Sequence, residues 1–419
     1  MSEIDSWNKQ WAVVNMISGG EPKWRVLLLV AVAELFVMTL WFSASAVSSS
    51  FVTAWNLSGT EAAWLTISVQ LGFVVGALLS SIFTISDTIR PQYLFASSAF
   101  VGAAATVLIA GVVQSFLPAV GLRFVTGVAM AGVYPIGMKM MAEWFKAGRG
   151  LAIGVLVGAL TVGSAAPHLL RVFGGIGQPR LVLYGAAVVA TAGGLLILKY
   201  ESGPYQADTS PFDPTAVWRI LRDRGTLLAN VGYFGHMWEL YAIWTWIPFY
   251  IAASLHANGS GGSATTSLLA FGTIAIGGVG AWLAGSAADR VGRTTVTSAS
   301  MVISGLSCLA AGFVFGEPLV ILAPFCLVWG FVIVADSAQF SACVSELAED
   351  NYVGTALTLQ TAIGYIITTV SIQLVPVFEG YLGWQWAFAP LAIGPAIGTA
   401  AMLYLRVLPE ASNLAGGRG

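Results

Sequence analysis

The chain has 419 residues, of which 57% are hydrophobic and only 9% charged, with a mean hydropathy of +0.80. No soluble domain of this size is so poor in water-facing charge, so the composition points to a protein that crosses a bilayer repeatedly. A net charge of −2 without a basic cluster gives no support for a nucleic-acid partner.

Residues 1–25 are polar and lack a signal-peptide core, so they read as a cytoplasmic tail before a retained first helix. At about 20 residues per crossing, twelve spans are expected. They fall at 26–50, 63–86, 92–113, 117–143, 150–173, 180–199, 227–253, 264–287, 294–315, 318–345, 353–377 and 384–406. The first carries Glu34 and Trp41 in ELFVMTLW. A carboxylate inside an apolar run of bilayer length is costly to keep charged, so it is a functional candidate able to bind and release a proton. Asp87 and Arg90 follow the second span. Arg123 opens the fourth span, Tyr134-Pro135 is expected to bend it, and Lys139 and Glu143, four apart, are expected to pair near its end. Arg149 leads into the fifth span, whose outer end carries His168 and Arg171; with Arg123 these form a candidate basic outer vestibule.

The longest hydrophilic connection, 201–226, contains Asp213-Pro214, a good helix start. Val217, Ile220 and Leu221 then make an apolar stripe beside Arg219, Arg222 and Arg224, as in a short helix lying at the membrane surface. It joins bundles expected at 26–200 and 227–406; residues 407–419 form a second cytoplasmic tail.

The seventh span carries Glu239 in ELYAIWTW, with the Glu-Leu-aromatic start and the Trp seven residues later (Trp246) of the first span. His236 stands one turn before Glu239 on the same face, a pair able to pass a proton, hold an anion or bind a metal. Asp336 lies mid-way along the tenth span, so Glu34, His236, Glu239 and Asp336 are a candidate cation site. Trp41, Tyr134, Tyr241 and Trp246, with Gln339 and Gln360 as neutral hydrogen-bonding groups, suit a cavity for a small organic solute. Pro248 is expected to bend the seventh span. Cys308, Cys326 and Cys343 sit in apolar runs without metal spacing and read as core residues.

The halves repeat. Asp87 matches Asp289 at an offset of 202 (289 − 87), Gly127 matches Gly330 and Glu143 matches Glu346 at 203, and Glu34 matches Glu239 at 205 (239 − 34). Six spans return the chain to its starting side, so the repeat is parallel about an axis along the membrane normal. With the N-terminus inside, only Arg171 and Arg180 of the 18 Lys and Arg residues fall on the outer side, placing both termini in the cytoplasm.

GSAADRVGR (285–293) resembles the G-x-x-x-D-R-x-G-R signature between helices 8 and 9 of the major facilitator superfamily. SIFTISDTIRPQ keeps Asp87 of the corresponding first-half loop. RFVTGVAMAG (123–132) is similar to the family's helix-4 signature, and EWFKAGRGLAIG (143–154) to its helix 4–5 junction, one residue shorter between Phe145 and Arg149. The resemblance implies an all-α fold of twelve transmembrane helices in two pseudo-symmetric six-helix bundles, working by alternating access. It also implies that helices 1, 4, 7 and 10 line the cavity, that 2, 5, 8 and 11 lie between the halves, and that 3, 6, 9 and 12 face lipid. Asp87, Arg90, Lys139, Glu143, Arg149, Asp289, Arg290, Arg293 and Glu346 are then a cytoplasmic gate of ion pairs that differ between conformations.

The expected protein is a monomeric secondary transporter of the bacterial inner membrane, moving a small organic solute with protons, inward, with a carboxylate as one candidate solute. Drug or cation efflux, divalent-metal transport and a non-transporting solute sensor are the alternatives. There is no nucleophile–base spacing, phosphate-binding loop or metal motif, so neither an enzyme nor a cofactor is expected.

Overall fold

The computed structural model describes residues 21–145, 149–175, 178–205, 217–349 and 352–419. The described residues are helical apart from short connections, with no strand. Each of the twelve expected stretches is helical, and among the described residues nine helices are long and apolar enough to cross a membrane, or ten if the bent pair Ala389–Arg406 and Pro409–Gly416 counts as one span. The first stretch misses that test because it is divided into Pro22–Met38, Ser43–Ala46 and Ser48–Trp55. The seventh, Arg224–Ala257, is 34 residues long, but its Trp, Tyr, His and Glu residues lower its hydropathy.

Local chemistry sets several ends. Ser58 and Glu61 form a capping box at the start of Gly59–Ile82, and the Asp223 side chain accepts from Thr226 N at 2.7 Å to open the seventh span. Pro22, Pro91 and Pro179 occupy first-turn positions, where a missing N–H costs nothing. The eighth and ninth spans, Ser263–Val291 and Arg293–Val314, are separated by Gly292 alone, at φ +98°. That backbone conformation explains the glycine of the DRVGR motif.

Three spans are interrupted near mid-length. The first tightens to i→i+3 bonds at Leu40 N–Val37 O (3.1 Å), Trp41 N–Met38 O (3.0 Å) and Ser43 N–Leu40 O (3.4 Å). The fourth divides into Phe116–Met130 and Tyr134–Trp144, with Pro135 in the first turn of the second piece, so the bend lies just before Tyr134-Pro135. The tenth divides at Asp336 into Leu319–Ala335 and Ser337–Leu347. Pro248, by contrast, lies inside a helix that continues through it. The eleventh span is broken at Gly383, whose φ of +68° is non-helical, so Trp384–Trp386 lie beyond the break, where the twelfth stretch was expected to open. In the linker the helix is Val217–Arg222, with Ile220 buried; the expected start at Asp213-Pro214 lies outside the described residues, as does most of the N-terminal tail.

Reciprocal glycine contacts give the sequence repeat a physical meaning. A Cβ on Gly127 of the fourth span would overlap the Val69 carbonyl of the second, and one on Gly330 of the tenth would overlap the Thr273 carbonyl of the eighth. In the return direction, Gly76 meets Val128 O and Gly280 meets Phe331 O. These contacts recur at the offset that relates the halves, and each lets two backbones touch. The stretches 22–197 and 224–406 meet through the fifth and eighth spans and through the second and eleventh. At the first of these seams a Cβ on Gly278 would lie 3.2 Å from Gly158 Cα.

Candidate functional site

The interruption of the first span displaces backbone carbonyls where no bulk water reaches them, so they need donors from the protein. Arg123 supplies them. Its guanidinium is fully buried; Nε donates to Leu65 O at 2.9 Å, Nη1 to Leu40 O at 2.8 Å and Ser43 Oγ at 3.4 Å, and Nη2 to Trp41 O. Arg123 therefore does not line an outer vestibule, as its place at the start of the fourth span suggested. It fastens the first and second spans together.

Immediately beside this staple, a layer of aromatic rings closes the middle of the molecule. Trp41 packs 6.1 Å from Tyr241 and 5.6 Å from Tyr365, Phe42 lies 5.8 Å from Trp244, and Phe73 lies 4.7 Å from Tyr365. The Tyr241 and Tyr365 hydroxyls are 2.8 Å apart. Residues 41, 42 and 73 come from the first half and 241, 244 and 365 from the second, so this layer joins the halves. Phe42, Phe73 and Tyr365 were not singled out from sequence. Trp246 lies farther along its helix, donating Nε1 to Ile372 O at 2.9 Å.

Glu34 is completely buried, and its two carboxylate oxygens have no hydrogen-bond partner among the described residues. It points at the fourth span: a Cβ on Gly137 would lie 2.8 Å from Glu34 Oε2. Glu239 is also buried but points elsewhere. Cys308 Sγ of the ninth span donates to its Oε2 at 3.4 Å. The two glutamates thus do not face one cavity, because rotation of the seventh span turns Glu239 into the second half. His236 Nδ1 lies 2.9 Å from Asp336 Oδ1, at the interruption of the tenth span, with both side chains buried. His236, Glu239 and Asp336 are neighbours, Glu34 is apart from them, and among the described residues no group of three His, Cys, Asp or Glu side chains could hold a metal ion.

At the end of the molecule bearing the DRVGR motif, Arg293 forms a fork with Glu346 (Nε–Oε2 2.8 Å, Nη2–Oε1 2.6 Å), donates to Gln339 Oε1 at 2.8 Å and lies 3.9 Å from Asp289. Gln360 accepts from Ser341 Oγ at 3.3 Å. In the first half the partners differ. Lys139 pairs with Asp87 at 2.7 Å and Ser86 O at 2.6 Å, while Glu143 accepts from Tyr200 OH at 2.8 Å and Gly203 N at 3.3 Å. In place of the expected Lys139–Glu143 pair, each residue contacts other segments. Burial, then the bond to Glu143, raises the Tyr200 phenol above its ordinary range, so this hydroxyl remains a donor. Arg90 and Arg290 are exposed and form no ion pair among the described residues; the Arg149 side chain lies outside them.

Residues after the twelfth span fold back onto this end. Ala415 N donates to Glu346 Oε2 at 3.0 Å, Thr294 Oγ1 to Gly419 O at 2.8 Å, and Arg418 to Asp289 O. Glu346→Gln weakens the anchor of both Arg293 and residue 415. Amide hydrogen exchange across 409–419 is then expected to accelerate at least about three-fold, from a contact worth roughly 0.5–1 kcal/mol; unchanged exchange would show that the tail is held by its other contacts.

At the opposite end, Arg171 donates to Ala46 O at 3.1 Å and Ser49 Oγ at 3.4 Å and lines a cavity of about 360 Å³ between the halves. His168, one turn earlier, is buried, with neither ring nitrogen bonded among the described residues.

Comparison with known proteins agrees with this architecture. No curated protein sequence matches the chain. A crystal structure of a bacterial homolog of the human lysosomal transporter Spinster, inward-facing and occupied, superposes with a TM-score of 0.72 at 12% identity, covering 94% of this chain and 99% of that one. A D-xylose–proton symporter gives 0.71 at 16% identity, covering 93% and 98%. A mutant of the nucleoside transporter NupG gives 0.70 at 14% identity, covering 91% and 99%. The family model of the Major Facilitator Superfamily matches residues 29–372. With this match along most of its length and an all-helical fold shared with solved transporters, the chain is an integral membrane protein belonging to the Major Facilitator Superfamily.

Proposed function

We propose that this transporter takes up a small organic solute together with protons, across the inner membrane of a bacterium, as a monomer with both termini and the DRVGR end in the cytoplasm. Residues 26–200 and 227–406 act as two six-helix bundles that alternate access to a site beside the aromatic layer, joined by 201–226. A carboxylate is a candidate solute.

The observation that carries the coupling is Glu34. A carboxylate without a partner in an apolar site is expensive to hold as an anion and is relieved by taking up a proton. It sits seven residues before Trp41 and against the interrupted fourth span, so loading it changes contacts next to the layer that joins the halves. The His236–Asp336 pair is a second relay candidate, with Glu239 nearby. That a D-xylose–proton symporter shares the fold supports the compatibility of this framework with proton coupling.

The test begins with thermal stabilisation by a solute panel at several pH values, since ligand binding raises the stability of the folded state. Hits are then measured for uptake into proteoliposomes with and without an inward proton gradient. The wild type is expected to accumulate solute only with the gradient. Glu34→Gln, which carries no exchangeable charge, is expected to lose at least about ten-fold of that accumulation, equivalent to about 1.4 kcal/mol, while keeping downhill exchange. Gradient-driven uptake that survives unchanged in Glu34→Gln removes this residue from the coupling.

A further inference from the structure

The cavity carrying Arg171 lies at the end of the molecule away from the DRVGR motif, and its walls come from both halves. The first and fifth spans contribute Ser49 and Arg171; the seventh and eighth contribute Phe249, His256 and Thr266. Its volume of about 360 Å³ is within the range of small-molecule sites, roughly 300–1,000 Å³. No carboxylate lines it, and Arg171 forms no ion pair among the described residues.

A guanidinium has five N–H donors. Arg171 directs one to the Ala46 carbonyl and one to the Ser49 hydroxyl, both neutral acceptors. Those two bonds hold the fork against the first span and leave three donors and an uncompensated charge. The Ser49 hydroxyl accepts from Arg171, so its own proton is available to an acceptor in the cavity. Across the gap, the first turn of the 29-residue helix Ser263–Val291 faces the same space, without a side-chain cap on its N–H groups. That helix end adds positive potential to the field of Arg171. The remaining wall, at Phe249, is apolar.

We propose that this cavity is a recognition site for a small organic carboxylate. Its carboxylate group is held by Arg171 and the Ser49 hydroxyl, and its apolar part lies against Phe249. Planar guanidinium groups bind carboxylates through parallel charge-assisted bonds, which a neutral amide cannot reproduce. Because the site is built from both halves, an occupant bridges them and favours the arrangement in which these ends lie this close. The site narrows the class of solute in the transport reading and rests on that reading only for the step from binding to passage.

The test uses the full-length protein purified in detergent, titrated calorimetrically with benzoate and, separately, with benzamide. Benzoate is expected to bind and benzamide to bind at least about ten-fold more weakly. Arg171→Gln is expected to weaken benzoate by a similar factor, and Arg171→Lys by less, since one ammonium replaces a fork. Ala252→Trp fills the cavity from an exposed wall position without touching the charge, and is expected to abolish the titration even where an Arg171 variant fails to fold. Equal affinity for benzoate and benzamide, full benzoate affinity in Arg171→Gln or Ala252→Trp, or no heat from benzoate at tens of millimolar would each overturn the site. The same titration on Glu34→Gln separates the two readings. Benzoate binding that persists while gradient-driven uptake is lost leaves the carboxylate site standing by itself. Uptake that proceeds without any Arg171-dependent binding removes the site and keeps the coupling.

Discussion

Replacing Arg123 by methionine is expected to destabilise the folded protein by about 3 kcal/mol, the upper end of the cost of leaving a buried acceptor without its donor. Two effects oppose each other. Removing an ion-pairless buried cation relieves a desolvation cost, which favours the variant. The Trp41 and Leu65 carbonyls lose their guanidinium donors, however, and both residues are buried inside the protein, where no bulk water replaces a lost donor. The second effect wins because the acceptors stay buried after the cation has gone. Lysine keeps the charge but not the fork, since one ammonium cannot reach Leu65, Leu40 and Trp41 with the same planar geometry, so Arg123→Lys is expected to fall between wild type and methionine. Cys308, Cys326 and Cys343 are all buried and free, so a thiol-reactive dye reports unfolding directly. The midpoint is expected to fall on the order of 5 °C or more for Arg123→Met. A midpoint within about 1 °C of wild type, against that expectation, would mean that the interrupted first span supports itself.

Gly330→Ala is expected to be the most damaging single-methyl change in the second half. The added carbon would collide with the Thr273 carbonyl, a backbone atom of another span that has no rotamer to escape into. Overpacking costs about 1–3 kcal/mol, and the upper end applies because two helices must separate. Gly127→Ala meets Val69 in the same way and is expected to behave alike, which tests the repeat as an energetic relation as well as a geometric one. Gly121→Ala is the control with the opposite sign. Nothing lies within 4 Å of its Cβ, it stands inside helix Phe116–Met130, and alanine improves helix propensity by up to about 1 kcal/mol. If the three glycines respond equally in the dye assay, close packing is not what distinguishes Gly127 and Gly330.

What the sequence made legible follows from locality. Glycines 127 and 330 repeat at a fixed offset because the same helix crossing is built twice, and that crossing can be inferred from residue type and spacing. DRVGR was placed between two spans by its resemblance to the family signature, and in the structure Gly292 alone, at a positive φ, separates them. The interruption of the first span was not legible: Thr39, Leu40, Trp41 and Phe42 include neither proline nor glycine, and its staple, Arg123, is more than 80 residues away from Leu40 and Trp41. Lys139 and Glu143 satisfied the i, i+4 rule, but both were claimed by stronger partners from distant segments. Glu239 was legible as a buried carboxylate, whereas its direction was not. Turning towards Cys308 depends on how the seventh helix is rotated among its neighbours, which no local pattern encodes.

The contact between Gly158 and Gly278 has a mechanical consequence. Two backbones meet there, and the nearest side-chain atom a Gly278 Cβ would meet is a Val162 methyl at 3.5 Å, so rolling one helix over the other breaks few contacts at that spot. Under the alternating access proposed above, it serves as the fulcrum between the halves. Arg171 at one end of the fifth span and the Gly154–Trp282 approach toward the other then sit on opposite lever arms, so a tilt that widens one mouth narrows the other. Any side chain placed at the fulcrum would lengthen the axle between the halves and leave both mouths ajar.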